Sequence, residues 1–153
     1  MMQFTLDTEP GRYIPGIIFL RKIKPEERII TSIPEYKGSG IYIIRNIVNG
    51  KVYIGSAKHI NKRIKEHDQY MRRGWCNNKI QEDIDKGHTF TCEILEKCDN
   101  MMFVELRNRE KYYVEKYDSL NSGYNTAPVP VYDLDYFIKR NDKRMIEYLT
   151  RRV

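Results

Sequence analysis

At 153 residues the chain is long enough for one domain with a real apolar core, plus appendages. It shows no long apolar stretch and no secretory signal, and its three cysteines, Cys76, Cys92 and Cys98, form no CxxC pair. These features argue against a membrane span, a disulfide scaffold and a zinc finger, and lead us to expect a reduced, intracellular protein with no membrane partner. Lys and Arg number 27 against 21 Asp and Glu, giving a formal charge of +6 and a pI of about 9.2. That balance suits a nucleic-acid partner, because neutralising phosphates releases counterions, although many small soluble proteins are as basic without one.

Residues 1–39 carry four of the six prolines, Pro10, Pro15, Pro25 and Pro34, which favours extended segments and turns, with Gly16 to Ile23 as one added strand. The next stretch is predicted to be a hairpin. Asn49-Gly50 between two apolar runs signals a two-residue type I′ turn, which sets Val48 opposite Lys51. Strand alternation then places Tyr42, Ile44 and Asn46 on one face with Tyr53, Gly55 and Ala57, so both phenols point the same way. Ile41, Ile43 and Ile47 with Val52 and Ile54 take the other face, giving a half-apolar sheet with a tyrosine-bearing surface. Lys58 to Arg73 has helical spacing, with Gly74 as its stop. Arg63 and His67, four apart, share a face of this helix, and Ile60 and Ile64 anchor it to the sheet.

Thr89 to Leu95 alternates like a third strand. Cys92 and Cys98 can be drawn with His88 as a metal cluster, but a structural role is the better reading, since this strand turns some of these side chains into the core. A second helix runs from Met101 to Tyr117 with Phe103, Leu106, Tyr113, Val114 and Tyr117 as its apolar positions. Glu110 falls inside that arc, between Leu106 and Val114, whereas Glu105 and Glu115 project outward. A carboxylate aimed at the core costs several kcal/mol unless it is paired or binds a metal, so Glu110 is the acid to explain. Pro128 and Pro130 mark a linker before a last helix, Leu134 to Arg152. Its stripe of Leu134, Phe137, Ile138, Met145, Tyr148 and Leu149 is accompanied by Lys139, Arg140, Lys143, Arg144, Arg151 and Arg152. The basic residues read equally as phosphate contacts or as a solvated face. The expected fold is an α/β domain with a small three-stranded sheet, mixed or antiparallel, flanked by helices.

Gly40-Ile41-Tyr42 and Tyr53-Ile54-Gly55, ten residues apart, resemble the two signature strings of the GIY-YIG nuclease superfamily. Arg63 and His67 match that family's helix arginine and following histidine, Glu110 its metal-binding glutamate, and Asn125 of Ser122-Gly123-Tyr124-Asn125 its terminal asparagine. The resemblance covers residues 39–127 and is strongest to the catalytic domains of phage and intron-encoded homing endonucleases. It divides the chain into an extension (1–39), a catalytic domain (40–127), and a linker with a basic helix (128–153). The homing enzymes usually carry the nuclease at the start of the chain, so the extension is a departure. Covering a sheet edge, dimerisation and DNA contact are its open roles.

The resemblance implies a metal-dependent endonuclease that hydrolyses DNA and leaves 5′ phosphates. Hydrolysis needs an activated water, stabilisation of charge on the phosphate, and a route for the leaving oxygen. Glu110 would hold one divalent cation, Mg²⁺ by its octahedral oxygen chemistry, with Mn²⁺ able to substitute. Arg63 would face the non-bridging phosphate oxygens with its forked donors. Tyr42 is the family's general base, but a phenol with a pKa near 10 must be depressed or relayed, and His67 can supply the relay. Tyr53 would orient water or phosphate, and Asn125 would hold loop and phosphate geometry. Spacing does not decide which of Tyr42, Tyr53 and His67 takes the proton. Relatives often place a histidine just after the glycine that ends the first helix, where this chain has Gly74-Trp75-Cys76-Asn77-Asn78 with Cys76 in that place. The substitution brings in an alternative, a weakly active or non-catalytic nucleic-acid-binding module, and a role for Asn77 or Asn78. A protein-interaction role for the proline-rich front is a third reading. A double-strand break would need a homodimer, sequential nicking or a second engagement.

Overall fold

Asn46 sets the first turn of the domain. Its side-chain oxygen accepts the backbone N–H groups of Val48 (2.8 Å) and Asn49 (3.3 Å), and its carbonyl accepts Gly50 N–H at 3.0 Å. The strands on either side are β1 (Gly40–Asn46) and β2 (Val52–Ala57). They pair with Tyr42 opposite Gly55 and Ile44 opposite Tyr53, and Asn46 N–H donates to Lys51 at 2.9 Å. The two-residue type I′ turn expected from Asn49-Gly50 is therefore replaced by a longer loop. Only Gly50, at φ +75°, adopts positive φ there, because the Asn46 side chain starts the turn earlier. The register moves by two residues, an even number, so every side chain keeps its expected face. Ile47 is the exception: its N–H donates to Thr89 in the loop and its side chain is exposed.

The computed structural model describes Ile23 and residues 27–151. Helix α1 (Ile60–Arg73) ends at Gly74 in the left-handed conformation, and α2 (Asn78–Asp85) follows. Strand β3 (Phe90–Lys97) pairs antiparallel with β1, giving the order β2-β1-β3, and α3 (Phe103–Lys116) comes next. The expected last helix is two, α4 (Leu134–Lys139) and α5 (Lys143–Arg151). The break has a local cause. Asn141 takes φ +54°, and Asp142 caps the new helix by accepting Met145 N–H at 3.1 Å.

Both faces of the sheet are covered, which corrects the expectation of a tyrosine-bearing surface. Tyr42 and Ile44 pack with Ile60, Ile64 and Met71 of α1, Ile80 and Ile84 of α2, and Tyr124. Ile41, Ile43, Val52 and Ile54 pack with Leu106 and Val114 of α3. Cys92 and Cys98 are free, buried thiols, and no group of three or more His, Cys, Asp or Glu suited to a metal occurs among the described residues.

Part of the front extension closes the outer edge of β3. Phe90 exchanges backbone bonds with Ile29 and Thr31 (2.8 Å each), and Cys92 N–H donates to Ser32. Asp68 of α1 holds this segment by accepting Ile29 and Ile30 N–H groups at 2.9 and 2.8 Å. The strand expected over Gly16 to Ile23 lies outside the described residues except for Ile23, which is buried but not in a strand. Asp68→Ala would leave two buried N–H donors unpaired, so chemical denaturation should show a loss of about 2–5 kcal/mol. An unchanged midpoint would contradict the tether.

Candidate active site

The register of β1 and β2 brings the tyrosines together. Tyr42 lies opposite Gly55, Tyr53 lies one pair along on the same face, and their rings are 6.4 Å apart. From α1, His67 reaches both, with ring centroids 5.6 Å from Tyr42 and 5.4 Å from Tyr53. The contact that fixes the triangle is Tyr42 Oη to His67 Nε2 at 2.7 Å. Gly55 makes the arrangement possible, since a Cβ there would fall 2.4 Å from Tyr42 Oη and 2.5 Å from its Cζ.

Arg63 lies one helical turn before His67, its Nη1 donating to Glu66 at 3.2 Å, and its charge acts on Tyr42, Tyr53 and His67 together. The Arg63–Glu66 pair is partly exposed and contributes little to stability, under about 1 kcal/mol. Glu110 enters from α3 on the opposite side of the sheet and meets β2 at Ser56. It is 6% exposed, and its Oε1 accepts Ser56 Oγ at 2.7 Å while Arg107 Nη1 lies 3.0 Å from its Oε2. Ser56 and Arg107 are site residues that the sequence reading did not single out. Both were accessible to it: Ser56 alternates onto the Ile54 face, and Arg107 precedes Glu110 by three on its helix.

Asn125 is buried and its side chain engages the backbone of one residue. Oδ1 accepts Ile54 N–H and Nδ2 donates to Ile54 C=O, both at 3.0 Å. It thus pairs the outer edge of β2 between Tyr53 and Gly55, which places it on the loop-holding side of its expected role. Asn77 caps α2 through Ile80 N–H (3.0 Å), and its Nδ2 donates to Tyr124 C=O (3.0 Å). Both ends of that side chain are engaged with the backbone. Cys76 is half-buried, with Sγ 3.5 Å from Gln81 Oε1.

Burial dominates the electrostatics. It pushes the Tyr42 phenol well above the ordinary range, reinforced by Tyr53 and partly offset by Arg63. Burial also raises Tyr53, with the Glu110 charge adding to it. His67 is driven the other way, down to about 3, by burial first and then by the Arg63 charge. The imidazole is therefore neutral at physiological pH and can accept the Tyr42 O–H as a hydrogen bond. Between about pH 6.5 and 3 the unfolded chain takes up a proton that folded His67 refuses. This residue's contribution to stability is thus whole above pH 6.5 and is lost as pH falls through that window. Denaturation midpoints should drop with pH there, and His67→Gln should flatten part of the slope. An identical slope in the variant would contradict the assignment.

The sheet and its flanking helices thus gather Tyr42, Tyr53, Arg63, His67 and Glu110, and the chain belongs to the GIY-YIG family: the family model, a GIY-YIG catalytic domain, matches residues 38–125. Among curated proteins it is 39% identical over 94 residues to Intron-associated endonuclease 1 of Enterobacteria phage T4. That match covers 58% of this chain and 37% of the relative, so the chain spans little more than a third of that protein. Two solved structures are similar in fold. The catalytic domain of the homing endonuclease I-TevI is 38% identical with a TM-score of 0.53, covering 58% of this chain and 98% of that domain. A mutant of the same intron endonuclease domain is 35% identical with a TM-score of 0.56, covering 61% and 98%.

Proposed function

We propose that this chain is a divalent-metal-dependent DNA endonuclease of the homing, mobile-element or phage type, hydrolysing one strand per catalytic engagement. The observation that carries the reading is the 2.7 Å contact between Tyr42 and a neutral His67 beside Arg63. The high proton affinity of Tyr42 disfavours a standing phenolate, so the base is the pair. An attacking water gives its proton to the Tyr42 oxygen as Tyr42 passes its own to His67 Nε2. The bound phosphate supplies negative charge that offsets Arg63 and raises the proton affinity of His67 at that moment. Arg63 stabilises the charge that accumulates on the non-bridging oxygens. Tyr53 orients the water, and Asn125 keeps β2, and with it Tyr53 and Gly55, in place.

The residues fit a lightly held hard cation. Glu110 is a buried carboxylate with one hydroxyl neighbour, Ser56. The absence of a three-ligand group among the described residues suits an ion that keeps most of its shell as water and phosphate oxygen, as Mg²⁺ does, with Mn²⁺ substituting. When bound, such an ion supplies Lewis-acid stabilisation of the phosphate oxygens. Arg107, 3.0 Å from the Glu110 carboxylate, would share it with such an ion. That ion pair, with Cys76 in place of a histidine, favours one other reading, a DNA-binding module with little chemistry.

End-labelled duplex DNA incubated in Mg²⁺ or EDTA separates the two. The nuclease reading expects 5′-phosphate and 3′-hydroxyl ends in Mg²⁺ alone, and salt-sensitive binding without product in any metal would favour the module. Gly55→Ala, which forces the Tyr42 phenol off His67, should lower cleavage about 100-fold while the protein stays folded. Undiminished cleavage in a folded variant would remove Tyr42–His67 alignment from the account.

A further inference from the structure

Ser56 is the one polar side chain that β2 turns toward α3. Strand alternation puts it on the face of Val52 and Ile54, opposite Ile41, where these apolar residues pack with Leu106 and Val114. Leu106 and Val114 stand one helical turn either side of Glu110, so the serine meets the carboxylate where the pattern of both elements calls for an apolar contact. The bond is short, 2.7 Å from Ser56 Oγ to Glu110 Oε1, in the range of a hydroxyl donating to an ionised carboxylate.

Neutralising Glu110 is not what the serine adds. Arg107, three residues earlier on the same helix, already sets its Nη1 3.1 Å from Oε1 and 3.0 Å from Oε2. An arginine on α3 moves with Glu110, however, and cannot fix the carboxylate relative to the sheet. Ser56 does so, because it follows Tyr53 and Gly55 on the strand whose other face meets Tyr42 and His67. A hydroxyl also carries no charge, so it orients the carboxylate and leaves the negative charge to attract a cation. Holding the Glu110 side chain in one rotamer beforehand removes part of the ordering cost of binding.

We infer that Ser56 is a positioning residue for the divalent cation at Glu110: its hydroxyl holds the carboxylate ready for the ion and couples it to the strand that bears Tyr53. The inference rests on the reading of Glu110 as the metal ligand. It adds that metal affinity, and not DNA affinity, depends on Ser56, because hydrogen bonds to a ligating carboxylate set how strongly it holds its ion.

Mn²⁺ alone is the probe, because the free hydrated ion gives a resolved electron paramagnetic resonance signal that fades on binding. Full-length wild type, Ser56→Ala, Ser56→Thr and Glu110→Ala are titrated without DNA, and the last of these defines binding elsewhere on the chain. Ser56→Ala should weaken the Glu110-dependent binding about tenfold, and Ser56→Thr, which keeps the hydroxyl, should retain most of it. Melting temperatures without metal should stay close to that of the wild type, since Arg107 still serves the Glu110 carboxylate when the hydroxyl is gone. DNA affinity measured in EDTA should be the same for wild type and both Ser56 variants. A folded Ser56→Ala that binds Mn²⁺ like the wild type, a Ser56→Ala whose DNA affinity in EDTA falls in step, or a threonine variant no better than alanine overturns the inference and leaves Glu110 as the ligand. Wild type and Glu110→Ala that bind Mn²⁺ alike would instead bring down the ligand reading, and the role of Ser56 with it.

Discussion

Arg63→Ala is expected to slow DNA cleavage about 100- to 1,000-fold while changing DNA affinity only a few fold. The size follows from where the charge sits. Arg63 is half-buried next to Tyr42, and its neighbours hold its proton more firmly than usual even though burial opposes the charge. A fixed guanidinium in such a setting needs no reorganisation as charge builds on the phosphate, so its effect falls on the rate rather than on binding. Stability should scarcely change, since the ion pair it makes with Glu66 is partly exposed. Arg63→Lys keeps the charge but loses the planar fork, and its rate should lie between those of the wild type and the alanine variant. Single-turnover rates with saturating protein check the ordering. A lysine variant as slow as alanine would show that geometry alone matters, and a fast alanine variant would place Arg63 outside the chemistry.

Glu110→Ala should cost about 1,000-fold or more, with the metal response lost along with the rate. The carboxylate is buried and aimed at the β2 edge, and no other acid stands with it in a metal-binding group among the described residues. No neighbour is therefore placed to take over. Glu110→Gln is the sharper variant. It is nearly isosteric and can still accept from Ser56, so a folded Glu110→Gln protein without activity would separate the carboxylate's charge from its structural contact. Rate measured against Mg²⁺ concentration decides the matter. A parallel curve at reduced height would make Glu110 a positioning residue, whereas a curve flat at the background rate would make it the ligand. In either variant Arg107 loses its charged partner, and its side chain, 27% exposed, is only partly open to water.

Much of this site was legible because several of its residues sit in regular elements. Alternation put Tyr42 and Tyr53 on one face despite the shifted register, helical spacing paired Arg63 with His67, and Glu110 stood out as an acid within an apolar arc. What escaped reading depends on single side chains bonded to distant backbone. Asn46 rebuilt the hairpin turn by accepting two N–H groups, and Asn125 clamped Ile54, a partner 71 residues away. Helix α2 was missed because its sequence, NKIQEDID, carries only Ile80 and Ile84 as apolar markers. The split between α4 and α5 turns on one left-handed Asn141 and one capping Asp142 within an otherwise continuous stripe. Burial itself was the other gap. Strand alternation marked the tyrosine face as open, whereas α1 and α2 cover it, and that covering is what raises Tyr42 and keeps His67 neutral.

The central claim, that one carboxylate at the edge of this sheet makes the protein a metal-dependent nuclease, is tested most directly on supercoiled plasmid. Wild type and Glu110→Ala are each incubated with Mg²⁺, Mn²⁺ or EDTA, with DNA binding measured in parallel. The account predicts nicked plasmid from the wild type in either metal, none in EDTA and none from the variant, although both proteins bind the DNA. Equal nicking by the variant, nicking that persists in EDTA, or wild-type protein that binds plasmid and leaves it supercoiled in both metals would contradict it.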